Sequence, residues 1–417
     1  MPSTEPAELT SWLTSTSGAQ AIGAAEEATA TAPTDPLAAA TTLRGWLPRL
    51  TAAQAAAALE QSGLRARART HYGITADALL LSRDGLEQAT RPAVAAYRAG
   101  LMYGSGVRRV VDLTAGLGFD AAALCEAGIT VTAVERDPRT AAFCRHNLPG
   151  ATVIEADATD ARVLADLLAT LEPTDAVFVD PARRDPRAAR DLASGRARPE
   201  RDPQRWSPPW SFIESIQHPR VAAKVAPAFT PPSGWHATWT SIDRVVVECG
   251  AYSWPVFSAA RRAVVHSAAA PVELDAVDGT LPRADHVGSW LIEPDPAVER
   301  ALALAALPDV VGVHLERVDD DSSWLTTSAD AGFDALGMVR AYRVIGELSG
   351  STADQRRELR RRSIDRLSVK SRDVKADPRQ VLRDLGCREG TGPVLILTRR
   401  AGRTLSVLVD AAAVPRD

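Results

Sequence analysis

Four carboxylates, Asp112, Glu135, Asp157 and Asp180, close four successive apolar runs in the middle of the chain. The first stands in VVDLTAGLGFDA, Val110 to Ala121. There a strand delivers Asp112, and a turn through Gly116 and Gly118 lets the backbone approach a ligand before a helix begins. Gly116, Gly118 and Ala121 also fit G-x-G-x-x-A, the loose dinucleotide fingerprint. A carboxylate beneath those glycines repels a pyrophosphate, however, and suits a cationic ligand. Glu135 is placed to accept two ribose hydroxyls, and Asp157, in EADATD, to accept from an adenine amino group. Asp180, with Pro181, closes the fourth run in DAVFVDPARRD. One acid after a strand is an ordinary solvated turn; four at consecutive carboxyl ends, facing one crevice, describe a binding site.

The elements that must position these residues are legible around them. Arg109 to Leu113, Ile129 to Val134, Thr152 to Glu155 and Ala176 to Val179 read as buried strands. Asp120 to Ala127, Pro138 to Asn147 and Arg162 to Leu171 read as the helices between them. Apolar strands separated by helices predict an α/β domain with a doubly wound, Rossmann-like parallel sheet covered on both faces. Ahead of it, residues 1–85 predict an N-terminal module, loosely structured over Ala21 to Leu43, then an alanine-rich helix capped by Thr51 and ended near Gly63. Thr90 sits at an N-cap position before Pro92 and a helix running to Gly100. Regularity fails in an Arg-, Pro- and Trp-rich insertion at 181–218. Val221 to Val225 is a candidate fifth strand, and Val287 to Ile292 the last extended piece of a domain expected over 86–307. Residues 308–417 predict a connecting segment and a small α+β unit with its core at about 336–412, with helices near Thr352 to Leu367 and Pro378 to Leu385 and strands at Val394 to Thr398 and Thr404 to Val409.

With its strand-end acids the chain resembles the class I S-adenosylmethionine-dependent methyltransferases over roughly Leu86 to Pro294. LEQAT at Leu86 to Thr90, DPARR at the fourth strand, SPPWS at Ser207 to Ser211 and LIEPDPAV at Leu291 to Val298 make it look like the bacterial group whose chains end in a THUMP-like domain. In that group the last segment carries an RAYRV stretch, here Arg340 to Val344, a basic strand, here Val369 to Arg372, and a closing apolar strand, here Val394 to Arg399. The basic strand reads VKSRD and lacks the glycine that usually follows the arginine. The resemblance implies S-adenosylmethionine as cofactor, contacted by Gln88, Thr90, Asp112, Gly116, Gly118, Glu135, Asp157 and Asp180, with Thr114, Ala115, Asp120, Arg136 and Ala158 beside them. It implies a catalytic turn at Asp180, Pro181 and Arg183. In amino-directed methyltransferases this turn reads (D/N/S)-P-P-(Y/F/W): the first residue and a proline-held carbonyl accept from the target nitrogen, and the aromatic stacks on the base. Here the acceptor is present and the adjacent aromatic is missing. Arg183, Trp206 or Trp210 is the candidate replacement, with Arg184 and Pro208 as further substrate contacts.

Charge bounds the partners. The 417 residues carry 48 basic and 52 acidic side chains, a net of -4, so the field of the whole chain does not mark a nucleic-acid binder. The distribution says more: Arg183 to Arg205 holds eight arginines, and Arg356 to Arg379 holds ten basic against four acidic side chains. Solvated helix faces look the same in sequence. One beside the site and one on the THUMP-like unit, the blocks fit a track along a phosphate backbone, with Arg360, Arg361, Lys370 and Arg372 as contacts. Scattered histidines and four cysteines without C-x-x-C spacing leave no metal expected. No apolar run reaches the roughly 18 residues of a membrane span, and Met1 to Thr14 lacks a basic n-region, so the expectation is a cytoplasmic protein away from membranes. Nothing in serine or histidine spacing points to a hydrolase. The leading expectation is methyl transfer to a base nitrogen of structured RNA, tRNA or rRNA. A protein or small-molecule methyltransferase, and a catalytically degenerate RNA-binding protein, stand open beside it.

Overall fold

Alanine and threonine dominate the first fifty residues, and they form helices, including the stretch expected to be loosely structured. Helices α1 (Pro6–Leu13), α2 (Thr16–Thr31), α3 (Pro36–Trp46) and α4 (Ala52–Tyr72) follow one another. Asp35 caps α3, accepting from the Leu37 and Ala38 amides at 3.0 Å each, and Pro36 takes the first helical position. The alanines of α2 are the reason that a composition poor in large apolar residues still folds. Ala21, Ala25 and Ala28 are fully buried, alanine is the best helix former, and its small side chain lets α2 pack closely on α4. Thr51 and Gln54 close a reciprocal capping box on α4. That helix does not end at Gly63, because its buried face continues through Leu64, Arg65 and Ala68, and this packing outweighs the about 1 kcal/mol that glycine costs a helix.

The computed structural model describes residues 6–183, 200–267, 270–330, 333 and 337–410. Contacts divide the chain into two units: Met1–Ala226 with Pro231–His236 and Gly250–Ser258, and Pro227–Thr230 with Ala237–Cys249 and Ala259–Asp417. The division falls at neither 85 nor 307, since the N-terminal helices and the first five strands share one unit.

In the first unit, α5 (Arg83–Gln88) and α6 (Pro92–Gly104) lead into β1 (Arg109–Asp112), α7 (Phe119–Glu126), β2 (Thr130–Glu135), α8 (Pro138–Asn147), β3 (Thr152–Glu155), α9 (Ala161–Leu168) and β4 (Ala176–Val179). After the insertion come α10 (Trp210–Ser215) and β5 (Val221–Val225). The strands lie parallel in the order β3-β2-β1-β4-β5. This is the doubly wound α/β sheet expected from the sequence. Its order reverses between β1 and β4, where such sheets open a crevice at their carboxyl ends. Thr90 does not cap α6: Arg91 holds the N-cap without a side-chain bond, and the Thr90 hydroxyl turns inward. One core lies beneath the sheet, around Val110, Val131, Phe178 and Met102. A second joins the N-terminal helices to Leu117 of the glycine turn and Phe143 of α8. Each such buried leucine or phenylalanine stabilises by about 1.5–3 kcal/mol, so the N-terminal module helps to hold the turn.

The chain continues through β6 (His236–Ile242), β7 (Val245–Tyr252), β8 (Arg261–His266), β9 (Val272–Asp275), β10 (Trp290–Pro294), α11 (Pro296–Arg300), α12 (Leu307–Val311), β11 (Glu316–Arg317), β12 (Leu325–Thr327) and β13 (Val339–Glu347). It ends in α13 (Thr352–Arg361), β14 (Arg366–Ser371), α14 (Pro378–Leu385), β15 (Arg388–Arg400) and β16 (Arg403–Val409). In the second unit a seven-stranded sheet runs β11-β12-β10-β13-β16-β15-β14. The strand expected to close the first domain, near 287–292, is β10, and it pairs antiparallel with β12 and β13 instead. Leu291 enters a core with Trp324, Tyr342 and Ile396, a partnership that a short apolar run cannot announce. No helix among the described residues is long and apolar enough to cross a membrane.

Candidate functional site

A cavity of about 540 Å³ opens at the carboxyl ends of β1 to β4. Asp112, Glu135, Asp157 and Asp180 all line it, together with Gln88, Thr90, Thr114, Ala115, Gly116, Asp120, Arg136 and Ala158. The two glycines of the turn do different work. Gly116 has a φ of 55°, and nothing lies within 4 Å of where a Cβ would stand, so bare backbone faces open space. At Gly118, φ 88°, a Cβ would stand 2.6 Å from Leu148 Cδ1; this glycine does not line the cavity and serves the packing of turn on helix.

Each carboxylate is held differently. Asp112 is buried, one oxygen accepting from the Thr114 amide at 3.0 Å, and burial pushes its carboxyl up to about 8. A buried acid poised in this way is completed by a cation. Glu135 is fixed by two backbone amides, Gly116 at 3.1 Å and Asp137 at 2.8 Å, one on each oxygen, which leaves further lone pairs on both. The Oδ1 of Asp157 accepts from the Thr159 hydroxyl at 2.7 Å and amide at 2.9 Å, and these bonds hold its carboxyl below the usual range. Its Oδ2 is the oxygen that could receive an amino group. A ligand carrying an ammonium, vicinal hydroxyls and a heterocyclic amine therefore meets a matching set of acceptors beside an open glycine backbone.

Beneath this row lies a charged cluster that the sequence reading missed. Lys224 of β5 is buried, pairs with the carboxylate of Asp180, donates to the Thr90 hydroxyl at 2.8 Å and lies 3.5 Å from Asp120. Asp120 in turn accepts from Thr90 at 2.8 Å and pairs with the buried Arg98. Burial works to raise the Asp120 carboxyl, but Arg98 and Lys224 outweigh it and hold it below the ordinary range. For Asp180 burial prevails over Lys224, and the carboxyl is raised. The Asp180 amide donates to the Thr114 hydroxyl at 2.6 Å, tying the end of β4 to the turn after β1. The available signal was a single lysine in the otherwise apolar run VAAKV, since a charge in a fully buried strand needs partners.

The remaining expected residues scatter. Pro181 and Arg183 follow Asp180 but do not line the cavity. Arg184 lies outside the described residues. Trp206 and Trp210 are buried and turned away: Trp206 donates to the Glu200 carbonyl at 3.2 Å, and Trp210 packs on Trp235 at 5.1 Å. They anchor the segment and are not stacking faces in the cavity. Pro208 does line it, with Ser207, Ala182 and Phe212, the last unremarked in the sequence. In the second unit Arg360 and Arg361 are exposed on the last turn of α13, where Arg361 pairs with Glu358 at 2.7 Å. Lys370 and Arg372 do not belong to an open basic track. Lys370 reaches Glu293 at 2.6 Å and the Tyr342 hydroxyl at 2.9 Å, and Arg372 pairs with Glu299 and, at 3.5 Å, with Glu293. Burial works to raise Glu293, yet Lys370 and Arg244 hold its carboxyl below the ordinary range. Among the described residues no cluster of His, Cys, Asp or Glu is arranged to hold a metal ion.

Residues 339–411 match the THUMP domain-like family, and residues 7–68 match a domain of unknown function, DUF8688. No curated protein matches the chain. Among solved structures, a "putative methyltransferase" from Porphyromonas gingivalis W83 is 20% identical, with 94% of this chain and 98% of that chain covered at a TM-score of 0.66. A SAM-dependent methyltransferase from Neisseria gonorrhoeae is 17% identical over 40% of this chain and 72% of its own, at a TM-score of 0.24. The chain shares its fold with the Porphyromonas gingivalis structure, and its first unit has the doubly wound α/β fold. The chain joins that fold to a C-terminal THUMP-like domain.

Proposed function

We propose that the chain is an S-adenosylmethionine-dependent methyltransferase whose target is a base nitrogen of structured RNA. The observation that carries the reading is the convergence of Asp112, Glu135, Asp157 and Asp180 on one cavity beside the open backbone of Gly116. Asp112 would accept the methionine ammonium, Glu135 the ribose hydroxyls and Asp157 the adenine amine. Bound there, the cofactor supplies a methyl group on a sulfonium, an activated donor that asks of the protein mainly alignment. Asp180 would accept a hydrogen of the target amine and take up charge as that nitrogen is alkylated and sheds its proton. Lys224, paired with Asp180, would hold that carboxyl aimed and oppose the rise that burial imposes on it. The RNA part of the reading is supported by the THUMP-like domain and by the exposed arginines of α13.

Transfer of labelled methyl from S-adenosylmethionine into total RNA, protein and small-molecule fractions tests it. Label should enter RNA, and Asp180→Ala should abolish it while cofactor affinity stays within a few fold. Label confined to protein or small molecules would remove the RNA substrate, and cofactor binding without transfer into any fraction would remove the enzyme.

A further inference from the structure

The turn after β4 reads Asp-Pro-Ala-Arg and supplies no aromatic beside Asp180, and the two tryptophans that could replace it are buried elsewhere. We propose that Phe212, carried by α10, is the stacking face of this cavity and that the site takes a planar heteroaromatic ring. The proposal rests on the reading above only for the role given to Asp180.

Backbone pairing brings the two segments together. Ala182, two residues after Asp180, donates to the Ser207 carbonyl at 2.8 Å, and the Ser207 amide donates back at 3.0 Å. That exchange fastens Ser207 and Pro208 against the turn, and α10 begins two residues later at Trp210. The buried Trp210, packed on Trp235, and the buried Trp206, bonded to the Glu200 carbonyl, fix the segment on either side of the prolines. Phe212, on this anchored piece of chain, lines the cavity that Asp180 also lines.

The other aromatic rings of the lining are engaged. Phe119 stacks on Tyr72 with centroids 4.7 Å apart. Phe143 and Phe178 are buried, with the guanidinium groups of Arg139 at 5.3 Å and Arg98 at 5.2 Å over them. Phe212 is half-buried, and its ring has no ring or cation partner among the described residues. A half-buried apolar ring that lines a cavity together with a hydrogen-bond acceptor suits a flat ring that bears an amino group. An aliphatic amine or a flexible side chain would fill neither the face nor the acceptor geometry as well.

2-Aminopurine riboside, whose fluorescence is quenched by stacking, is the probe, with S-adenosylhomocysteine present. Wild type and Phe212→Tyr should quench it saturably, whereas Phe212→Leu, and Phe212→Met as a second aliphatic replacement, should bind it roughly ten- to hundredfold more weakly. Calorimetry should show S-adenosylhomocysteine affinity unchanged in any variant that folds. Undiminished binding in the aliphatic variants, or no saturable quenching by wild type, overturns the proposal. Labelled transfer into RNA, scored on the same proteins, separates the two ideas. Quenching through Phe212 without transfer keeps the stacking face and discards the RNA substrate, while full transfer by Phe212→Leu discards the stacking face alone.

Discussion

Replacing Asp112 by asparagine should stabilise the ligand-free protein and deprive it of its ligand. The side chain is 1% exposed, and its carboxyl is raised from 3.8 to about 8, chiefly by burial, with the Thr114 amide opposing and Asp120 and Asp180 adding. Because the folded value lies above the unfolded one, the contribution of the protonated carboxyl is fully present below about pH 4 and is lost as pH rises through 8. One pKa unit corresponds to about 1.4 kcal/mol, so the interval from 3.8 to neutral pH amounts to about 4 kcal/mol. Asparagine keeps an acceptor for the Thr114 amide and needs no proton. It should recover up to that amount at neutral pH and almost nothing near pH 4. In the wild type a bound ammonium must displace the proton, so affinity for S-adenosylmethionine should rise up to about tenfold per pH unit toward 8, with close to one proton released at neutral pH. Thermal unfolding at acid and neutral pH measures the first effect, and calorimetry in two buffers of different ionisation enthalpy measures the second. A lower melting temperature for Asp112→Asn at neutral pH, or binding without proton release, would refute the reasoning.

Lys224→Met alone should lower stability by less than the about 3–5 kcal/mol of a fully buried broken pair, because it leaves the half-buried Asp180 without its cation, and adding Asp180→Asn should recover part of the loss. A double-mutant cycle in which the two losses simply add would mean that the pair is not coupled. In the second unit, Lys370→Met should lower thermal stability through the loss of Glu293 and Tyr342 as partners. Arg360→Ala with Arg361→Ala should leave stability within about 0.5 kcal/mol and reduce the log-log salt slope of RNA binding by roughly 0.7 to 0.9 per lost contact. A flattened slope from Lys370→Met at unchanged stability would reverse those roles.

The local text was enough for the parallel sheet and for the row of acids above it. An apolar run of four or five residues between helical segments has few solutions other than a covered parallel strand, and an acid directly after it can only emerge at the carboxyl end. That is why Asp112, Glu135, Asp157 and Asp180 were legible as one crevice from spacing alone. What depended on partners distant in sequence was not legible. Periodicity reports that a face is buried and is silent on what buries it, so β10 joined an unexpected sheet and Trp206 and Trp210 turned into the segment they anchor. Lys370 and Arg372, counted as free cations in a basic block, found Glu293 and Glu299 about seventy residues earlier in the chain. Lys224 meets Asp180 only because β5 lies beside β4 in the sheet, and Phe212 reaches the cavity only because Ala182 and Ser207 pair across the insertion. Residue type and local period are properties of neighbours in sequence, whereas a charge's counter-ion and a ring's exposed face are created when distant segments pack.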